Sequence, residues 1–125
     1  MVEKAIGIDR VAHGEPIPQL AGTRSVADIV ADVQRNLPFG DGTQDMIIAR
    51  HILEHCLDSV ETVNEWARVL KIGGKLVVAV PDQRVTSGIP LNPEHVHAFS
   101  PKSLKSLLEA CGLVEIKSRS CNNGI

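Results

Sequence analysis

Residues Asp45–Asp82 read DMIIARHILEHCLDSVETVNEWARVLKIGGKLVVAVPD. Asp45–Arg50 is an apolar run of the kind that a strand covered on both faces shows. Asp58 with Glu61 three residues on forms a capping-box-like helix start. Val60, Val63, Ala67 and Leu70 then fall on one helical face, and Gly73 and Gly74 are expected to close the helix. Lys75–Asp82 is a second β-prone run, stopped by Pro81. Strand, helix and strand in this order are the unit of a layered α/β fold.

Between the first strand and the helix stands HILEH, His51–His55, which fits the H-x-x-E-H pattern of zinc peptidases. On one helix His51 and His55 lie four apart and make a workable ligand pair, with Glu54 as base. A third ligand has to come from elsewhere, His95 or His97 being the candidates. The setting argues against zinc, because the motif follows a strand at once and the regular helical face begins only after Asp58. No metal is therefore expected. In EHVH, Glu94–His97, the two histidines are two apart, which suits a loop at a site's mouth, where His95 and His97 touch substrate.

Outward from this core, Lys4–Asp9 (KAIGID) and Val26–Val33 (VADIVADV) are short apolar strand candidates, the second ending near Asp32. His13–Gly22 and Leu37–Gln44 carry prolines and glycines and read as loops. A long polar loop spans Gln83–Phe99. Ser100 as cap and Pro101 in the first turn open a last helix with Leu104, Leu107, Leu108 and Cys111 on its buried face. Gly112 closes it, and Leu113–Ser120 reads as a final strand. The whole is expected to be one α/β domain over 1–125, built on a mainly parallel sheet. Ligands in such sheets bind beyond the carboxyl ends of the strands, which marks Asp9, Asp32, Arg50, His51, Pro81 and Asp82. Taken alone, Asp9 and Asp32 are as readily turn or cap aspartates.

The bulk properties narrow the function. The chain has 125 residues, 43% hydrophobic and only 2% aromatic, so its core is aliphatic and stacking platforms for nucleic acid are nearly lacking. A formal net charge of −2 gives no electrostatic case for nucleic acid or an anionic membrane. The three cysteines are scattered without C-x-x-C, as expected of reduced thiols in a cytoplasmic protein. Neither a signal-peptide run nor a membrane-length segment is present in the sequence.

Taken in order, LPFGDGTQDMII, HILEH and RVLKIGG resemble the middle of the Rossmann-like S-adenosylmethionine-dependent methyltransferases, particularly those acting on small molecules. HVHAFSPKSLKSLLEACGLVEIK is similar to the family's following segment, with His97 in place of its usual Arg. Ile72 stands where the family's glycine turn has Pro. The resemblance runs from Lys4 nearly to the end. It implies S-adenosylmethionine as cofactor and a small molecule as methyl acceptor. It places Asp9 at the cofactor ribose, Asp32 and Val33 at the adenine, and Arg50 and His51 beside the methionine part and the methyl group. His51 becomes a candidate proton acceptor, and Glu54 and His55 are expected to open the following helix as structural or rim residues.

The family's first strand and its Gly-rich loop are expected before KAIGID, where only Met1, Val2 and Glu3 stand. The fold expected is thus a truncated Rossmann-like sheet. Its open edges pair with each other or with a second copy, giving a homo-oligomer, or the chain is part of a longer protein. A non-catalytic methyltransferase-like binding module is the alternative to an enzyme.

Overall fold

The computed structural model describes residues 5–9, 28–82 and 99–119. The chain divides into two compact units, Met1–Leu37 and Pro38–Ile125. His95 and His97, and the loop from Gln83 that carries them, lie outside the described residues.

In the first unit, β1 (Ile8–Asp9) pairs in parallel with β2 (Ile29–Val30), Ile8 opposite Ile29 and Asp9 opposite Val30. Both strands are shorter than their apolar runs. The Asp28 carboxylate accepts from the Gly7 N–H at 2.7 Å and joins the two strands where the ladder begins. Gly7 also takes Asp28 and Ile29 N–H groups on its carbonyl, at 2.8 and 3.0 Å.

The second unit holds the strand–helix–strand element. β3 (Gln44–Arg50) pairs in parallel with β4 (Leu70–Ala79), and α1 (Ser59–Val69) connects them after a 3-10 turn at Leu53–His55. The ladder runs in register from Met46 opposite Lys75 to Arg50 opposite Ala79. Ala49 is buried, and with Ile47, Leu76 and Val78 it belongs to the more enclosed face of this ladder. Met46, Ile48 and Val77, on the alternate positions, are exposed. Period-two alternation thus replaces the two-sided burial expected of DMIIAR: among the described residues only one face of this pair is covered.

Helix α1 begins as expected. Asp58 caps it by accepting from the Glu61 N–H at 2.9 Å, and the Thr62 hydroxyl donates to the Asp58 carbonyl at 2.7 Å. Its buried stripe is Thr62, Val63, Trp66 and Val69, while Val60 is exposed. Of the expected Val60, Val63, Ala67 and Leu70 face, Val63 and Leu70 are buried and Ala67 is half-buried, and the stripe widens toward Thr62, Trp66 and Val69. Leu53, Cys56 and Phe99 complete the core of this unit.

The helix ends at Val69, not at Gly73–Gly74. Its last carbonyls are taken by the preceding loop: the Gly42 N–H donates to Arg68 O and the Thr43 N–H to Val69 O, both at 2.9 Å. These bonds do the work expected of a glycine cap. The two glycines instead serve a register shift, because Gln44 faces Leu70 while Met46 faces Lys75. Gly73 sits at φ +84°, and a Cβ on Gly74 would stand 2.8 Å from Lys71 O and 3.2 Å from Asp45 O.

After β4, Asp82 forms a parallel bridge to Phe99. Helix α2 (Pro101–Ala110) follows, capped by Ser100 through a reciprocal pair with Ser103, with Pro101 at its first position. Leu104, Leu107, Leu108 and Cys111 are half-buried, so its apolar face is only partly covered. The expected strand at Leu113–Ser120 is a correction: residues 113–119 form no strand. Lys117 and Arg119 keep their charges in water, and no described strand pairs with the segment.

No helix among the described residues is long and apolar enough to cross a membrane.

Candidate functional site

Polar residues stand at or within a few positions of the carboxyl end of each described ladder. In the first unit β1 ends on Asp9 itself, and Asp32 and Val33 follow β2 by two and three residues. The Asp32 carboxylate is exposed and its Oδ1 accepts from the Gln34 N–H at 2.9 Å, a local Asx turn. That turn fixes the carboxylate's orientation. Val33 is half-buried.

In the second unit Arg50 is the last residue of β3 and is exposed. His51 follows it with φ +54°, a left-handed conformation that carries strain in any residue with a Cβ. Its backbone N–H donates to Ala79 O at 2.7 Å, which keeps it on the ladder while the chain turns. Its side chain is 35% exposed. It lines an open cleft of about 1110 Å³ along β4, which Pro81, Asp82 and Phe99 also line. The cleft's far wall is α2 with the segment after it. The structure thus brings Arg50, His51, Pro81 and Asp82 to one end of the β3–β4 ladder, as the sequence pattern indicated.

Glu54 is placed differently from expectation. It lies in the 3-10 turn, separated from α1 by Cys56–Asp58, and is 1% exposed. It is therefore neither a helix opener nor a rim residue. Its Oε2 is 3.5 Å from His51 Nδ1 and 3.9 Å from His55 Nε2. The buried side chain of Leu53 turns the chain inward here, and Glu54 goes in with it. Only an inspection of H-x-x-E-H as a group signals Glu54; no periodicity does. Among the described residues no three His, Cys, Asp or Glu are placed to hold a metal ion.

The loop before β3 is tied to α1 by Arg68. Its Nε and Nη2 donate to the two Glu65 oxygens at 2.7 and 2.8 Å, and its Nη1 donates to Asp41 Oδ1 at 2.7 Å and Phe39 O at 3.0 Å. Its hydrogen bonds to Glu65 first, then to Asp41, push the guanidinium pKa further up, so it stays charged.

A parallel strand–helix–strand unit with carboxylates and a histidine beyond the strand ends defines a Rossmann-like α/β protein. Comparison with known proteins narrows this further. Residues 3–78 match the family described as methyltransferase domain. A probable S-adenosylmethionine-dependent methyltransferase of Mycobacterium tuberculosis is 33% identical over 103 residues, 78% of this chain and 38% of the relative. A second, from Mycolicibacterium smegmatis, is 34% identical over 79 residues, 61% of this chain and 31% of the relative. The chain therefore belongs to the S-adenosylmethionine-dependent methyltransferases, and it spans less than half the length of the curated relatives it matches.

Solved structures agree on the fold. A SAM-dependent methyltransferase from Archaeoglobus fulgidus superimposes with a TM-score of 0.63 at 21% identity, covering 74% of this chain and 45% of that one. A possible histamine N-methyltransferase from Thermotoga maritima gives 0.61 at 21% identity, covering 71% and 47%. The fold is Rossmann-like, and this chain covers less than half of each of those solved chains. S-adenosylmethionine is the cofactor that the family indicates.

The residues present fit that cofactor in chemistry. A ribose offers hydroxyl donors and an adenine an amino donor, and both suit carboxylates such as those of Asp9 and Asp32.

Proposed function

We propose that this chain takes part in methyl transfer from S-adenosylmethionine to a small-molecule nucleophile. The observation that carries this reading is the match over residues 3–78 together with His51 held at the carboxyl end of β3. Bound S-adenosylmethionine supplies an activated methyl group on a sulfonium that leaves as a neutral thioether. The protein's part is therefore mostly placement.

In the first unit, Asp9 holds the ribose hydroxyls, Asp32 accepts the adenine amino group, and Val33 adds a neighbouring backbone contact. In the second, Arg50 and His51 serve the methionine and methyl end. His51 accepts the proton that the acceptor loses as it is methylated, a role suited to an imidazole. Its place at the mouth of the cleft with Asp82 and Phe99 supports that assignment. His95 and His97 are proposed on the acceptor side.

Calorimetry with S-adenosylmethionine and S-adenosylhomocysteine tests the reading. Saturable binding that weakens on Asp32→Ala is the expected result. No detectable heat with either compound overturns it and leaves the non-catalytic module.

A further inference from the structure

Glu54 combines two properties that rarely coexist. It is 1% exposed, and neither carboxylate oxygen has a hydrogen-bond partner. A carboxylate in that position is costly, because burial removes its water and no N–H or O–H replaces it. Its polar neighbours are the two histidines of its own motif, with His51 Nδ1 the nearer at 3.5 Å and His55 Nε2 at 3.9 Å. That separation allows charge pairing but is longer than a well-made hydrogen bond.

His51 carries a second local cost, its left-handed backbone at φ +54°. This conformation and the bond to Ala79 O set where its ring leaves the chain. An unsatisfied buried acid and a strained histidine thus stand in contact, at the end of a parallel strand. Strain and unpaired polar groups concentrate where function holds them.

We propose that Glu54 is the positioning residue for His51. Resting on the reading of His51 as proton acceptor, it assigns the acceptor atom. Glu54 Oε2 takes the Nδ1–H of the neutral ring and so fixes that tautomer. Nε2 is then the nitrogen with the free lone pair. When the acceptor's proton passes to Nε2, the ring becomes an imidazolium whose charge the buried carboxylate balances. The 3.5 Å separation closes to hydrogen-bond length as the site fills, as such pairs commonly do. His55 is farther from the same oxygen, at 3.9 Å.

The test is nitrogen-15 NMR of the histidine rings in the labelled chain, at a pH where His51 is neutral. The expected spectrum shows His51 in the Nδ1–H tautomer. Glu54→Gln, whose carbonyl still accepts a hydrogen bond, keeps that tautomer. Glu54→Leu reverts it to Nε2–H, and His55→Gln leaves His51 as in the wild type. A wild-type His51 in the Nε2–H form overturns the proposal outright, with no variant needed. So does a Glu54→Leu chain that folds and keeps Nδ1–H.

Kinetics give an independent reading: Glu54→Leu lowers kcat on the order of 10²-fold with KM nearly unchanged, and Glu54→Gln recovers part of the loss. Methyl transfer that survives His51→Gln sinks the proton-acceptor role itself, whereas the tautomer measurement decides Glu54 alone.

Discussion

Arg68 and Asp41 stand 27 positions apart in sequence and 2.7 Å apart in space. The contact links the LPFGD turn to the last turn of α1. The same guanidinium is gripped by Glu65, which is 13% exposed, against 83% for Asp41. Exposure decides which partner matters. An ion pair with a water-exposed carboxylate contributes little, while a two-pronged grip on a shielded one is stronger. Asp41→Asn should therefore leave the urea midpoint almost unmoved. Arg68→Met should lower it clearly, since it also removes the bonds to Phe39 O and to the shielded Glu65 carboxylate. Urea denaturation of the three chains in parallel checks the order.

Gly73 and Gly74 should respond differently to alanine. At Gly73 the new methyl meets nothing within 4 Å, so the cost is the left-handed backbone, about 1 kcal/mol. At Gly74 it meets the Lys71 and Asp45 carbonyls, which belong to backbone and must shift. The expected loss there is about 1–3 kcal/mol. Denaturation midpoints at constant m-value separate the two.

The legible part of this fold was its punctuation. Asp58 and Ser100 announce helix starts because their side chains answer free N–H groups, a local chemistry that sequence states directly. The parallel pairing of β3 and β4 followed from two β-prone runs joined by a helix. What failed needed information from elsewhere in the chain. The end of α1 is made by Gly42 and Thr43, so Gly73–Gly74 read as a stop when they serve a shift in the ladder. The buried stripe of α1 is wider than the expected face: Val63 and Leu70 are in it, Val60 is not, and Trp66 joins it. Leu113–Ser120 has a strand's composition, yet strand is a property of partners, and no described partner is there. The strand-end rule marked Arg50, His51 and Asp82, and they do stand at or just after the carboxyl ends of β3 and β4. It missed Glu54, whose burial depends on how the 3-10 turn packs.

His51→Gly should stabilise the chain by about 1 kcal/mol, since glycine takes a positive φ without a Cβ clash. Methyl transfer should fall at the same time if the imidazole takes the proton. A thermal melt and a transfer assay on one preparation measure both. A variant less stable than the wild type means that the ring's packing outweighs the backbone strain.

The cysteines should separate by burial and pH. Cys56 is 2% exposed and its Sγ lies 3.4 Å from Ile52 O, so alkylation there should await unfolding. Cys111 is half-buried, and desolvation pushes its pKa up from 9.0. The thiolate is the reactive form, so labelling at Cys111 should rise along a curve displaced to alkaline pH from that of a free thiol. Mass spectrometry of alkylated peptides across the pH range reads both sites.

Met46, Ile48 and Val77 leave one side of the β3–β4 ladder greasy and wet, on a chain with a net charge of only −2. Colloidal behaviour follows from that pairing of features. Weak mutual repulsion does little to keep such sides of different molecules apart, and added salt weakens it further. Ile48, at 69% exposed, is the position where a lysine would raise the working concentration at least expense to the ladder.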